Sequence, residues 1–101
     1  MSIAKTIRQL RERKGMTQAQ LAKASKLTVT YINLVENEKK SPTLTSLEKI
    51  SGALEIPFPI IAFLSLDPKK DLKPEKQKVF ELLAPEVNEL IEKTFFEEPS
   101  S

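Results

Sequence analysis

The chain has 101 residues, 40% of them apolar, and a formal net charge of +2. That length suits one small core, and the apolar content is too high for a disordered chain. Cysteine and histidine are absent, which excludes disulfides, thiolate nucleophiles, imidazole bases and the usual zinc and iron sites.

No run of carboxylates has loop-type metal spacing, so no metal and no cofactor are expected. The N-terminus lacks an apolar stretch of signal-peptide kind, and nothing approaches the roughly 18 apolar residues of a membrane span. A soluble cytoplasmic protein without a membrane partner is the expectation. The net charge conceals an asymmetry: residues 1–66 carry ten Lys/Arg against five Asp/Glu, and residues 79–101 carry one against six. A basic body with an acidic tail follows.

In SIAKTIRQLRERKG, Ile3, Ile7 and Leu10 recur at helical spacing, and Gly15 suits a left-handed helix stop. Thr17 and Gln20 then form a capping box, with Met16 and Leu21 at the positions of a hydrophobic staple. Eleven residues on, Leu27, Thr28 and Ile32 repeat that grammar. The spacing predicts two short helices, over about 17–25 and 28–37. A third use of the same grammar, at Pro42, Thr43 and Leu47, opens a helix with Leu44, Leu47, Ile50 and Leu54 on one side. Pro57 and Pro59 open a fifth, FPIIAFLSL.

The stretch 67–78, DPKKDLKPEKQK, has two prolines and no apolar periodicity and reads as a polar linker. Helical spacing returns over 79–101, where Val79, Phe80, Leu82 and Leu83 cluster. Pro85 fits the first turn of a new helix whose stripe is Val87, Leu90, Ile91 and Phe95. The fold class is all-α: a five-helix domain over residues 1–66, a linker, and an acidic amphipathic extension over 79–101.

Two short helices joined by a three-to-four-residue turn form a helix-turn-helix, which holds its second helix clear of the body to enter a major groove. Ala22 is small where the helices would cross, and Leu21, Leu27, Ile32 and Val35 are apolar where both face a core. Thr28, Val29, Thr30, Tyr31, Asn33 and Leu34 surround the first turns of the second helix, away from that core.

These residues carry a resemblance. The segment from IRQLRERKGMTQAQLAKASKL through TVTYINLVENEKKSPTLTSLEKISGAL resembles the XRE-type family of regulators, the Cro and phage-repressor group. The likeness covers about residues 3–66 and rests on RERKGMTQAQLA and YINLVE at the family's spacing. TYI and SLEKI are similar to the controller proteins of restriction–modification systems. The resemblance implies a repressor-like transcription regulator that binds double-stranded DNA, at a roughly palindromic operator, as a homodimer. It also implies roles. Val29, Thr30, Asn33 and Leu34 would face base edges: Val29 thymine methyls, Asn33 adenine, Thr30 either kind of edge. Gln18, Thr28, Tyr31, Asn37, Lys39 and Lys40 would meet phosphates. Arg11 and Glu36 would form a structural ion pair. Lys26, Glu38 and Glu55 stand where the family pattern has glycine.

Leu34 is open between a thymine methyl and the dimer partner. IPFPIIAFLSL is apolar on more than one face, which points to dimerisation through Ile60, Ile61, Phe63 and Leu64, with core burial as the alternative. The acidic extension has three readings: a dimer interface through Val87, Leu90 and Ile91, a site for a regulatory protein partner, or packing on its own domain. The contrasting function is a protein-interaction module, an antitoxin or adaptor acting through that tail. An enzyme would need a Ser–Lys or carboxylate site, and no spacing assembles one.

Overall fold

Four of the chain's helices begin at a Ser or Thr whose hydroxyl accepts a backbone N–H, and this one device sets most of the architecture. The computed structural model describes residues 2–97. Its helices are α1 (Ile3–Arg13), α2 (Gln18–Ser25), α3 (Val29–Glu36), α4 (Leu44–Leu54), α5 (Phe58–Leu64), α6 (Pro68–Asp71) and α7 (Pro74–Phe95). The chain divides into two units, at residues 65 and 66. No described helix is long and apolar enough to cross a membrane.

In the first unit, α2 packs on α3 and α4, while α1 packs on α3 and α5. Ile7, Leu21, Ile32 and Ile50 are fully buried between them. The Thr17 hydroxyl accepts the Gln20 N–H at 3.1 Å, and the Gln20 side chain accepts the Thr17 N–H at 2.8 Å, a complete capping box. Thr28 and Thr43 cap α3 and α4 through the hydroxyl alone, accepting the Tyr31 and Ser46 N–H groups at 3.0 and 3.1 Å. Leu44 departs from the expected stripe: at the first position of α4 it precedes the packed turns and is exposed, while Leu47, Ile50 and Leu54 are buried.

The helix ends repeat one device as well. Gly15, Lys26, Glu38 and Glu55 all have left-handed φ, at 71°, 59°, 59° and 58°. After each, the next N–H reaches back to a carbonyl of the last turn: Met16 to Arg11, Leu27 to Ala22, Lys39 to Leu34, Ile56 to Ser51. This is the Schellman closure, for which glycine is the usual residue. Three of the four positions therefore carry an L side chain in the αL region, each at roughly 1–2 kcal/mol.

The second unit differs from a linker followed by a new helix at Pro85. Asp67 caps α6 by accepting the Lys69 N–H at 3.1 Å, and Asp71 accepts the Asp67 N–H at 2.8 Å. Pro68 and Pro74 occupy first-turn positions, where proline loses no helical hydrogen bond and its φ is already set. The two prolines thus open helices inside the expected linker. Pro85 lies within α7, which continues through it. Residues 98–101 of the expected extension lie outside the described residues.

Candidate nucleic-acid interface

The turn Lys26–Leu27–Thr28 holds α3 against α2, and periodicity then decides what each side of α3 does. Ile32, Val35 and Glu36 are buried; Val29, Thr30, Asn33 and Asn37 are exposed, and Leu34 is half-buried. Exposed positions 29, 33 and 37 follow at one-turn spacing, with Thr30 and Leu34 beside them. Val29, Thr30, Asn33 and Leu34 set methyl and polar groups side by side on this face, chemistry that base edges can match.

Behind that surface is a buried ion pair. Arg11 Nε and Nη2 donate to Glu36 Oε2 and Oε1 at 2.7 and 2.9 Å, a bidentate contact, and Arg11 Nη1 donates to the Met16 carbonyl at 2.7 Å. The two side chains are only 10% and 1% exposed. Hydrogen bonding to Glu36 raises the Arg11 pKa above its usual value, against the opposing effect of burial. Among the described residues, no buried side-chain nitrogen or oxygen lacks a hydrogen-bond partner.

Gln18, at the first position of α2, links this pair to the exposed face. Its Nε2 donates to Glu36 Oε1 at 3.1 Å, and its Oε1 accepts from Asn33 Nδ2 at 3.2 Å. The direction is fixed by chemistry: an ionised carboxylate only accepts, so the Gln18 amide nitrogen must face Glu36 and its oxygen must face Asn33. Asn33 therefore presents a fixed Oδ1 acceptor and a second Nδ2–H donor. That is the edge that matches adenine N6 and N7.

The other residues expected at phosphates lie on α3, at its two ends and in the loop that follows it. Thr28 uses its hydroxyl to cap α3, accepting the Tyr31 N–H at 3.0 Å. The Tyr31 hydroxyl lies 2.7 Å from Ser46 Oγ and accepts the Thr43 N–H at 3.4 Å, which ties α3 to the start of α4. Burial by itself raises the Tyr31 pKa, but hydrogen bonding with Ser46 and Thr43, with Lys40 nearby, brings it below the usual tyrosine value. Lys40 Nζ sits 5.4 Å from the Tyr31 ring centroid. Asn37 Nδ2 donates to the Asn33 carbonyl at 2.9 Å. Lys39 and Lys40 are exposed, with Glu38 beside them.

The structure thus brings Gln18, Asn33, Arg11 and Glu36 into one hydrogen-bonded chain. The Gln18–Asn33 and Gln18–Glu36 contacts have no signal in sequence spacing, since 15 and 18 residues separate the partners. Ser46 was also absent from the expected site; only its position three residues after the Thr43 cap marks it. Two residues expected at a dimer interface are corrected. Ile61 is 1% exposed and belongs to the core of its own unit, and Ile91 is likewise buried within the single chain. Ile60, Phe63, Leu64 and Val87 are half-buried, and Leu90 is exposed. Among the described residues, no three His, Cys, Asp or Glu side chains form a group that could hold a metal ion.

A family model described as helix-turn-helix matches residues 7–61. The immunity repressor protein of Bacillus phage phi105 is 34% identical over 56 residues, which are 55% of this chain and 39% of that protein. The HTH-type transcriptional regulator SutR of Escherichia coli (strain K12) is 32% identical over 56 residues, 55% of this chain and 32% of that one. The chain thus spans about two-fifths and one-third of the length of these curated relatives. Among solved structures, the wild-type restriction–modification controller protein C.Esp1396I superposes with a TM-score of 0.59 at 35% identity, covering 61% of this chain and 80% of that one. A single-substitution mutant of that protein gives a TM-score of 0.63 at 32% identity, covering 68% and 92%.

Proposed function

The chain belongs to the XRE-type helix-turn-helix family, and from that premise we propose that it is a sequence-specific DNA-binding transcription regulator of repressor type. Its α3 enters the major groove, where Asn33, Thr30 and Val29 meet base edges, with Leu34 at their side. Gln18, Thr28, Tyr31, Asn37, Lys39 and Lys40 meet backbone phosphates, which fix register and supply salt-dependent affinity. Two copies read successive major grooves of a roughly palindromic operator, about 34 Å apart.

The observation that carries this reading is the chain of hydrogen bonds from Arg11 through Glu36 and Gln18 to Asn33. A solvent-facing asparagine has no need of such support, whereas a base reader gains from arriving with its amide already oriented. The names of the relatives, a phage immunity repressor and a transcriptional regulator, support the same class of function. With valine and threonine at two of the base-facing positions, part of the specificity is assigned to DNA shape.

The test is selection from a randomised duplex pool at near-physiological salt, followed by sequencing of the bound fraction. An enriched motif with two-fold symmetry and half-sites one helical turn apart is expected. No enrichment from a folded protein would sink the proposal and favour a protein-binding role.

A further inference from the structure

Helix α7 carries more apolar surface than its own chain covers. Ile91 is buried and Val87 half-buried, but Val79, Leu82, Leu83 and Leu90 are 49%, 79%, 54% and 65% exposed. At 3.6 residues per turn, Val79, Leu83 and Leu90 fall in one stripe with Leu82 along its edge. One exposed leucine is ordinary, but four large apolar side chains aligned on one helix are a surface that water disfavours.

The charges on the helix indicate what covers that surface. Its N-terminal end has Lys73, Lys76 and Lys78 against Glu75; the rest has Glu81, Glu86, Glu89 and Glu92 against Lys93. A parallel second copy would set like charge on like. An antiparallel copy sets the basic end of each helix on the acidic part of the other, and a two-fold axis between them makes the contact self-complementary.

We propose that the exposed stripe of α7 is a self-association surface, which pairs antiparallel with α7 of a second copy about an axis near Ala84 and Pro85. The proposal deepens the homodimer reading and rests on it. With the axis there, Val79 lies opposite Leu90 of the second copy. A two-fold keeps each flank of the stripe facing its own equivalent. Glu75 and Lys93 share one flank and come within one residue of register; Lys78 and Glu89, further round that flank, come within two. Lys93 and Glu89 already pair within the helix at 3.0 Å, so the second copy extends an existing ion pair. Glu86 lies in the stripe and faces Leu83 of the second copy, which weakens the association.

The absence of native cysteine makes cross-linking a clean test in the full chain. Val79→Cys and Leu90→Cys chains, mixed under oxidising conditions, should form a covalent heterodimer. Val79→Cys alone should not, because its two copies lie about 16 Å apart along an antiparallel pair, beyond the ~7 Å limit for a disulfide. Self-linking of Val79→Cys would mean a parallel arrangement and overturn the proposal, as would an unlinked mixture. Sedimentation gives the second readout. Joint replacement Leu82→Ser and Leu90→Ser, at positions already exposed, should weaken self-association more than tenfold without loss of helicity. Unchanged association, with a two-fold DNA motif still selected, would reject α7 and leave the dimer reading standing. A wild-type chain that is monomeric both free and on DNA would reject both.

Discussion

The Asn33 amide donates from Nδ2 to Gln18 Oε1 at 3.2 Å, so a side chain on the exposed face of α3 is oriented by one at the start of α2. Gln18 is itself oriented by Glu36, at 3.1 Å. Removing Gln18 therefore acts on Asn33 at a distance. Gln18→Ala is expected to lower discrimination at the base position that Asn33→Ala affects, with the double variant little worse than either alone. A double-mutant cycle over operator variants measures the coupling, and strictly additive losses would mean that the two side chains act separately.

The Arg11–Glu36 pair is buried and bidentate, so its halves are not equivalent to its whole. Glu36→Ala or Arg11→Ala leaves one buried charge unpaired and should destabilise the domain by about 3–5 kcal/mol. Joint replacement by Met and Leu should cost much less, since no charge is then stranded. Urea denaturation of the three variants checks this, and equal losses for single and joint replacement would contradict it.

Lys26, Glu38 and Glu55 hold left-handed conformations that glycine adopts freely. Replacing each by glycine should stabilise the fold by roughly 0.5–1 kcal/mol, the αL penalty less the added entropy of the unfolded chain. Gly15→Ala, at φ 71°, should run the other way. Thermal melts of the four variants decide the sign. A loss of stability in the glycine series would mean that these side chains make contacts worth more than the strain.

Lys39 is exposed in the loop after α3 and has no role in the core. Lys39→Ala is expected to weaken operator and non-operator duplexes alike and to reduce the slope of log affinity against log salt by about one. An unchanged slope would remove Lys39 from the phosphate contacts.

Much of the first unit was legible because its signals are local. Thr17, Thr28 and Thr43 act within three residues of themselves, and Gly15 acts on its own φ. The strained stops at Lys26, Glu38 and Glu55 could be located only through the family pattern, since nothing in a lysine or a glutamate marks αL. In the second unit the prolines misled: Pro68 and Pro74 were expected in a linker, and both open helices. The sequence rule that proline ends a helix has a converse, that proline starts one; at Pro68 the Asp67–Asp71 contact closes the turn, while α7 opens at Pro74 with no side-chain cap to mark it. The Gln18 bridge was illegible for a related reason, since it joins residues on separate helices through side chains that would each suit solvent. Ile61 and Ile91 show the limit of apolar content as a guide: composition marks a residue for burial without saying whether its own chain or another supplies the cover.

The most direct test of the central claim, that an oriented Asn33 reads an adenine in the major groove, is a 7-deazaadenine scan of the selected operator. This base lacks N7 and leaves pairing intact. Wild-type protein is predicted to lose about 1–3 kcal/mol of binding at one adenine per half-site, and Asn33→Ala to be indifferent to the same replacement. Equal losses for both proteins at every adenine, or none for the wild type at any, would contradict the assignment of Asn33 as the base reader.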